Sequence, residues 1–144
     1  MIARLCLLAV LVLLPGGCES STEPVADVPA GLSVTLNDVI VARVTGATVE
    51  GGIHVHFGEY SGLFVVDILN GRGQPMTPDA DHYLEVAVGD LGLVSFVPSA
   101  QGAFRGEFEM YGEGETTLTF RLMREGSAVP EWTSPPLDLV VVAC

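Results

Sequence analysis

The stretch Thr116-Thr117-Leu118-Thr119-Phe120-Arg121-Leu122-Met123-Arg124 alternates with a period of two. Leu118, Phe120 and Leu122 fall on one side, and Thr117, Thr119 and Arg121 on the other. Successive side chains of a β-strand point to opposite faces, so this segment predicts a strand with one face buried and one face wet. Working outward, the same period recurs. Phe104, Phe108 and Met110 oppose Arg105, Glu107 and Glu109. Leu84, Val86 and Val88 oppose Tyr83, Glu85 and Ala87, while Ile53, Val55 and Phe57 oppose His54 and His56. Further strand candidates are Leu32–Leu36, Val39–Val44, Leu63–Leu69, Leu93–Val97 and Leu137–Val142. No window has the spacing of an amphipathic helix.

Turn chemistry separates these segments. Asn70-Gly71-Arg72-Gly73 offers residues that tolerate positive φ, and Gly112-Glu113-Gly114 sits between two alternating strands, as in a hairpin. Pro135-Pro136 cannot extend a ladder and marks the approach to the last strand. Many short strands at this spacing predict an all-β sandwich or barrel. The expectation is a sandwich of about seven to nine antiparallel strands. Its core is expected to hold Phe57, Phe64, Val66, Leu84, Val86, Phe108, Leu118, Phe120 and Leu122.

The order of motifs narrows the class. Phe64-Val65-Val66-Asp67-Ile68-Leu69-Asn70-Gly71-Arg72-Gly73 is followed by Leu84-Glu85-Val86. Then come Gly112-Glu113-Gly114-Glu115-Thr116-Thr117-Leu118-Thr119-Phe120 and a final Leu-rich strand. This succession, from about Leu63 to Val142, resembles a bacterial immunoglobulin-like domain. The resemblance implies an immunoglobulin-like β-sandwich and specifies no activity. No pair of cysteines is placed to bridge its sheets, so such a sandwich would be held by its core alone.

The N-terminus reads differently. Met1-Ile2-Ala3-Arg4 precedes a nearly unbroken apolar run from Leu5 to Leu14, then Pro15-Gly16-Gly17-Cys18. One positive charge, about ten apolar residues and then small residues are the layout of a signal peptide. The run falls short of the roughly 20 residues that span a bilayer. Leu14 to Cys18 resembles the lipobox of bacterial lipoproteins, with Pro15 where that family usually carries an aliphatic residue. The resemblance implies cleavage after Gly17 and acylation of the Cys18 thiol by lipid such as palmitate. The organisation expected is therefore a signal peptide at 1–17, a lipidated N-terminus and tether at 18–30, and one domain at 31–144. Glu19-Ser20-Ser21-Thr22-Glu23-Pro24 has the composition of a polar tether. The expected location is the bacterial cell envelope, on its periplasmic or surface side.

Composition limits the partners. Six basic residues, all arginine, face 18 acidic ones, for a net charge of -12. No basic stripe is available to neutralise phosphates, which argues against nucleic acid. The acidity repels anionic surfaces, so a membrane must be held through the lipid. Of the three cysteines, Cys6 leaves with the signal and Cys18 is the acylation site. Cys144 is then alone; if Cys18 is not acylated, the two can pair.

Few residues suggest chemistry. His54 and His56, two apart on one strand, would lie about 7 Å apart on one face, within reach of one metal ion. Together with His82 or a carboxylate they would suit Zn²⁺ or Cu²⁺. The plainer expectation is that both are solvent-facing opposite buried Ile53, Val55 and Phe57. Pro78-Asp79-Ala80-Asp81 resembles a fragment of a calcium loop but lacks the spaced ligands of an EF-hand. Glu107, Glu109, Glu113 and Glu115 read as a solvated edge rather than as paired catalytic carboxylates. Trp132 and Tyr111 read as sheet-rim packing ahead of glycan contact. There is no Gly-x-Ser-x-Gly elbow, and Gly71 and Gly73 are not followed by a phosphate-binding helix. These readings favour a non-catalytic module with a protein or glycan ligand or a spacer role, with no cofactor. The alternative is an envelope metal-binding protein that uses the histidine pair.

Overall fold

The structure, a computed structural model, describes residues 27–144. The signal segment, Cys18 and most of the tether lie outside these residues. Among the described residues there are eleven strands and no helix.

The alternating segment that opened the sequence reading is the spine of one sheet. It forms β9 (Gly114–Arg124), with Leu118, Phe120 and Leu122 buried. On one side β9 pairs antiparallel with β6 (His82–Val88), in a register that sets Val86 opposite Phe120. On the other side it pairs with the short β10 (Trp132–Thr133) and then with β11 (Leu137–Val142). β11 in turn pairs in parallel with β4 (Ile53–His56). The second sheet has the order β3-β2-β1-β5-β8-β7. Its strands are β1 (Pro29–Leu36), β2 (Val39–Thr45), β3 (Thr48–Gly51), β5 (Phe64–Asn70), β7 (Val94–Pro98) and β8 (Arg105–Met110).

The order β1-β5-β8-β7 opposite β6-β9-β11 is that of immunoglobulin constant-type sandwiches, which place strands A, B, E and D over C, F and G. Two departures raise the strand count above the expected seven to nine. A β2–β3 hairpin widens one edge of the larger sheet, and β4 joins the smaller sheet beside the last strand. The β1–β2 connection is a two-residue loop in which Asn37 and Asp38 both have positive φ, 49° and 65°. That is the primed turn whose twist matches the flanking strands.

Where antibody domains carry an inter-sheet disulfide between strands B and F, this chain has an aromatic pair. Phe64 on β5 stacks on Phe120 on β9, with ring centroids 5.9 Å apart. Phe108 and Phe96 meet Phe64 edge-on at 4.9 and 5.7 Å. Such contacts add about 0.5–1.5 kcal/mol per pair beyond the area they bury.

Four expectations change. Phe57, placed in the core by alternation, is 37% exposed. The β4 ladder ends where His56 pairs with Val142, and the chain turns away at Gly58 with φ of 86°. Phe57 thus projects beyond the sheet that would have covered it. Val86 is only partly buried, packed against the core from β6, a strand with a neighbour on one side. The Gly112-Glu113-Gly114 turn does not close a hairpin, because β8 and β9 lie in different sheets. The first strand also begins two residues before Gly31, since Pro29 pairs with Asn70.

Two buried serines complete ladders that the backbone leaves open. Pro135 and Pro136 have no N–H to donate, and the ladder between β10 and β11 is interrupted there. Ser134 fills the gap: its Oγ accepts from the Phe120 N–H at 2.9 Å, and its own N–H donates to the Phe120 carbonyl. Ser61 Oγ accepts from the Phe108 N–H in the same way. Ser134→Ala is expected to strand the buried Phe120 N–H and lower the unfolding free energy by about 2 kcal/mol. Urea denaturation measures this; a midpoint equal to that of the parent would show that the bond contributes nothing.

Candidate functional site

The strand directions define two ends of the sandwich. β1 starts, β5 and β9 finish, and β6 and β11 start at one end, where the chain arrives from the tether. The β1–β2, β4–β5, β6–β7 and β8–β9 connections lie at the other.

His54 and His56 are exposed on β4, a strand at the sheet edge, while Ile53 and Val55 on its other face are buried. The register places them far from His82. His54 is level with Val140 and so with Glu115 on β9, whereas His82 is level with Arg124. Nine residues along β9 amount to roughly 30 Å, and the strands lie on opposite sides of β9. The structure therefore does not bring the three histidines together.

His82 instead belongs to a cluster at the tether end. It opens β6, directly opposite Arg124 at the close of β9. Asp79 and Asp81 precede it in the β5–β6 connection. Glu131 arrives from the β9–β10 connection, fixed by its N–H donating to the Leu122 carbonyl at 2.8 Å. The His82 side chain is only 6% exposed. Its Nε2 lies 2.5 Å from Glu131 Oε2. Arg124 binds the other Glu131 oxygen at 2.7 Å and reaches Oδ2 of Asp81 at 3.2 Å and of Asp79 at 3.5 Å. The His82 hydrogen bond holds the Glu131 carboxyl below its usual pKa, with Arg124 adding to the effect and burial opposing it. A pocket of about 250 Å³ opens here between Met76, His82, Leu122, Arg124 and Glu131, with Asp27 at its rim.

Asp79, Asp81 and His82 can each turn one ligand atom into a common volume, all within 4.8 Å of one another. Among the described residues no other trio of metal-ligating side chains converges in this way. The sequence singled out these three residues separately. It did not single out Arg124 or Glu131, whose roles depend on strand register and on where a connection lands.

The acidic residues of β8 hold tyrosines rather than each other. Tyr60 donates to Glu107 at 2.6 Å, and Tyr111 donates to Glu109 at 3.0 Å. Glu107 raises the pKa of the Tyr60 phenol, chiefly through that hydrogen bond. Glu113 and Glu115 are exposed. Trp132 is half-buried against the core, as rim packing requires, and Tyr111 is exposed. Cys144 is exposed, and its thiol donates to the Phe57 carbonyl. Desolvation of the sulfur first, and Glu59 second, raise the thiol pKa. Cys18, the lipidation site expected from the sequence, lies outside the described residues.

Profiles of known protein families were compared with the chain and none matches, and no curated protein matches it either.

Proposed function

We propose that this protein is a non-catalytic, membrane-anchored lipoprotein of the bacterial cell envelope, whose immunoglobulin-like sandwich presents a binding surface to a protein or glycan. The observation that carries this reading is Pro15-Gly16-Gly17-Cys18 directly after the apolar run Leu5–Leu14, joined by about ten residues to a sandwich that starts at Pro29. Acyl chains contribute about 0.8 kcal/mol per buried methylene, and two or more hold a protein stably. The whole chain has a net charge of -12, which gives it no electrostatic attraction to an anionic bilayer, so the lipid must supply the attachment.

The distribution of exposed apolar side chains supports the binding part of the reading. Of the ten exposed large apolar side chains, Val39, Ile40, Phe57, Tyr60, Leu63, Leu91 and Tyr111 sit toward the end of the sandwich away from the tether, against Val28 and Val129 at the tether end and Val97 on β7. Apolar groups gathered on one region of a surface mark a site of association more than the same groups scattered singly. A domain tethered at one end would present this other end outward.

Metabolic labelling with a fatty-acid analogue tests the anchor. The protein is expected to take the label and to fractionate with membranes, and Cys18→Ala is expected to abolish both. Label retained in the variant would mean that the cysteine is not the point of attachment.

A further inference from the structure

The cluster at the tether end leaves two buried polar atoms, on Asp81 and His82, without a hydrogen-bond partner. His82 Nε2 faces a Glu131 carboxylate oxygen and lies 3.3 Å from the Arg124 guanidinium; in the tautomer that carries its proton on Nε2, a lone pair is left on Nδ1. That Nδ1 is buried with no hydrogen-bond partner. Asp81 Oδ1, also buried and unpartnered, stands 3.5 Å away. In that tautomer two electron-rich atoms face each other out of water. Three carboxylates, Asp79, Asp81 and Glu131, surround the single guanidinium of Arg124, so the carboxylates outnumber it by two. Arg124 reaches Oδ2 of both aspartates and leaves Asp81 Oδ1 turned toward the ring.

We propose that Asp79, Asp81 and His82 form a binding site for a divalent transition-metal ion of the zinc class, with Nδ1 and Asp81 Oδ1 as its inner donors. The separation fits. Zn–N and Zn–O bonds of about 2.0–2.2 Å at a tetrahedral angle put two ligand atoms about 3.4 Å apart. An N–H···O bond would draw the pair to about 2.7–3.2 Å. Asp79 supplies a third donor within reach. The charge fits as well, since a divalent ion brings the cluster to neutrality. The remaining partner of His82 is the one a metal-bound imidazole usually has: its other ring N–H on a carboxylate, here Glu131, itself held by Arg124. The nitrogen donor argues against Ca²⁺, which takes oxygen ligands. This site shares no residue with the His54–His56 pair.

The test uses the full chain, titrated with Zn²⁺ by calorimetry and with Co²⁺ by visible absorption. One ion per chain is expected, with the d–d bands of low-symmetry cobalt and no thiolate charge-transfer band. His82→Gln is expected to weaken binding by at least about 100-fold. Glu131→Gln, which only orients the ring, is expected to weaken it by about 10–100-fold. The double variant His54→Ala, His56→Ala is expected to bind as the parent does. Absence of saturable binding overturns the proposal. So does a thiolate band, or binding lost in the His54, His56 variant and kept in His82→Gln. Should His82→Gln fail to fold, Asp79→Asn decides at an exposed position, where unchanged affinity also overturns the site.

Discussion

Phe120→Ala is expected to lower the unfolding free energy by about 3–5 kcal/mol, the range for removing a buried aromatic ring from a filled core. That is a large part of the roughly 5–15 kcal/mol that separates a domain of this size from its unfolded state. Phe120 is fully buried on the central strand of its sheet and is stacked on Phe64 of the other. Its loss removes the ring that joins the two layers at the place where antibody domains use a disulfide. Because Phe64 also meets Phe96 and Phe108, the cavity is bordered by rings that are themselves held and can collapse only in part. A double-mutant cycle with Phe64→Ala should show a coupling of about 0.5–1.5 kcal/mol. Chemical denaturation gives both values. A Phe120→Ala loss below about 1 kcal/mol would mean that the two sheets are not joined through this ring.

Gly106→Val is expected to cost about 3 kcal/mol, the upper end of the range for forcing carbons into a filled core. Gly106 lies in β8 between β5 and β7, opposite Phe64 on one side and Pro98 on the other. A Cβ built there would stand 2.3 Å from the Val97 carbonyl oxygen and 2.7 Å from the Phe96 ring. The first neighbour is backbone and cannot swing aside. The second can leave only by giving up its edge contacts with Phe64 and Phe108. Gly106→Ala should show a smaller loss of the same origin. Thermal unfolding of both variants checks this, and a Gly106→Val midpoint equal to the parent's would show that β7 yields freely.

All nine strand candidates are present, four of them marked by alternation, because a strand with one wet and one buried face writes its period into the sequence. The two that were missed have no such face to reveal. Thr48–Gly51 is an edge strand with no fully buried side chain, and Trp132–Thr133 is two residues long. Partnership between strands was less legible. Gly112-Glu113-Gly114 looks like a hairpin from its own residues, and only the distant pairing of β8 with β7 and of β9 with β6 and β11 decides that the chain changes sheets there. The same limit applies to the site. Asp79, Asp81 and His82 stand out as metal-ligating types close in sequence. That Arg124 faces His82 follows from cross-strand register, and that Glu131 lands on the ring follows from the path of a connection. Alternation exposed His54 and His56 correctly, yet it carried Phe57 one residue past the end of its partner strand.

The two outermost long strands in sequence, β1 and β11, are interior strands in space. β1 lies between β2 and β5, and β11 lies between β9 and β4. Neither can be peeled from an open border one bond at a time. A pull transmitted along the segment before Pro29 loads two ladders in shear, from Gly31 to Leu36 against β2 and from Pro29 to Leu36 against β5. The sandwich is therefore built to bear tension on the side where the proposed lipid would hold it. Fraying at that junction, read by amide exchange, should be slower in β1 than in the outlying β3.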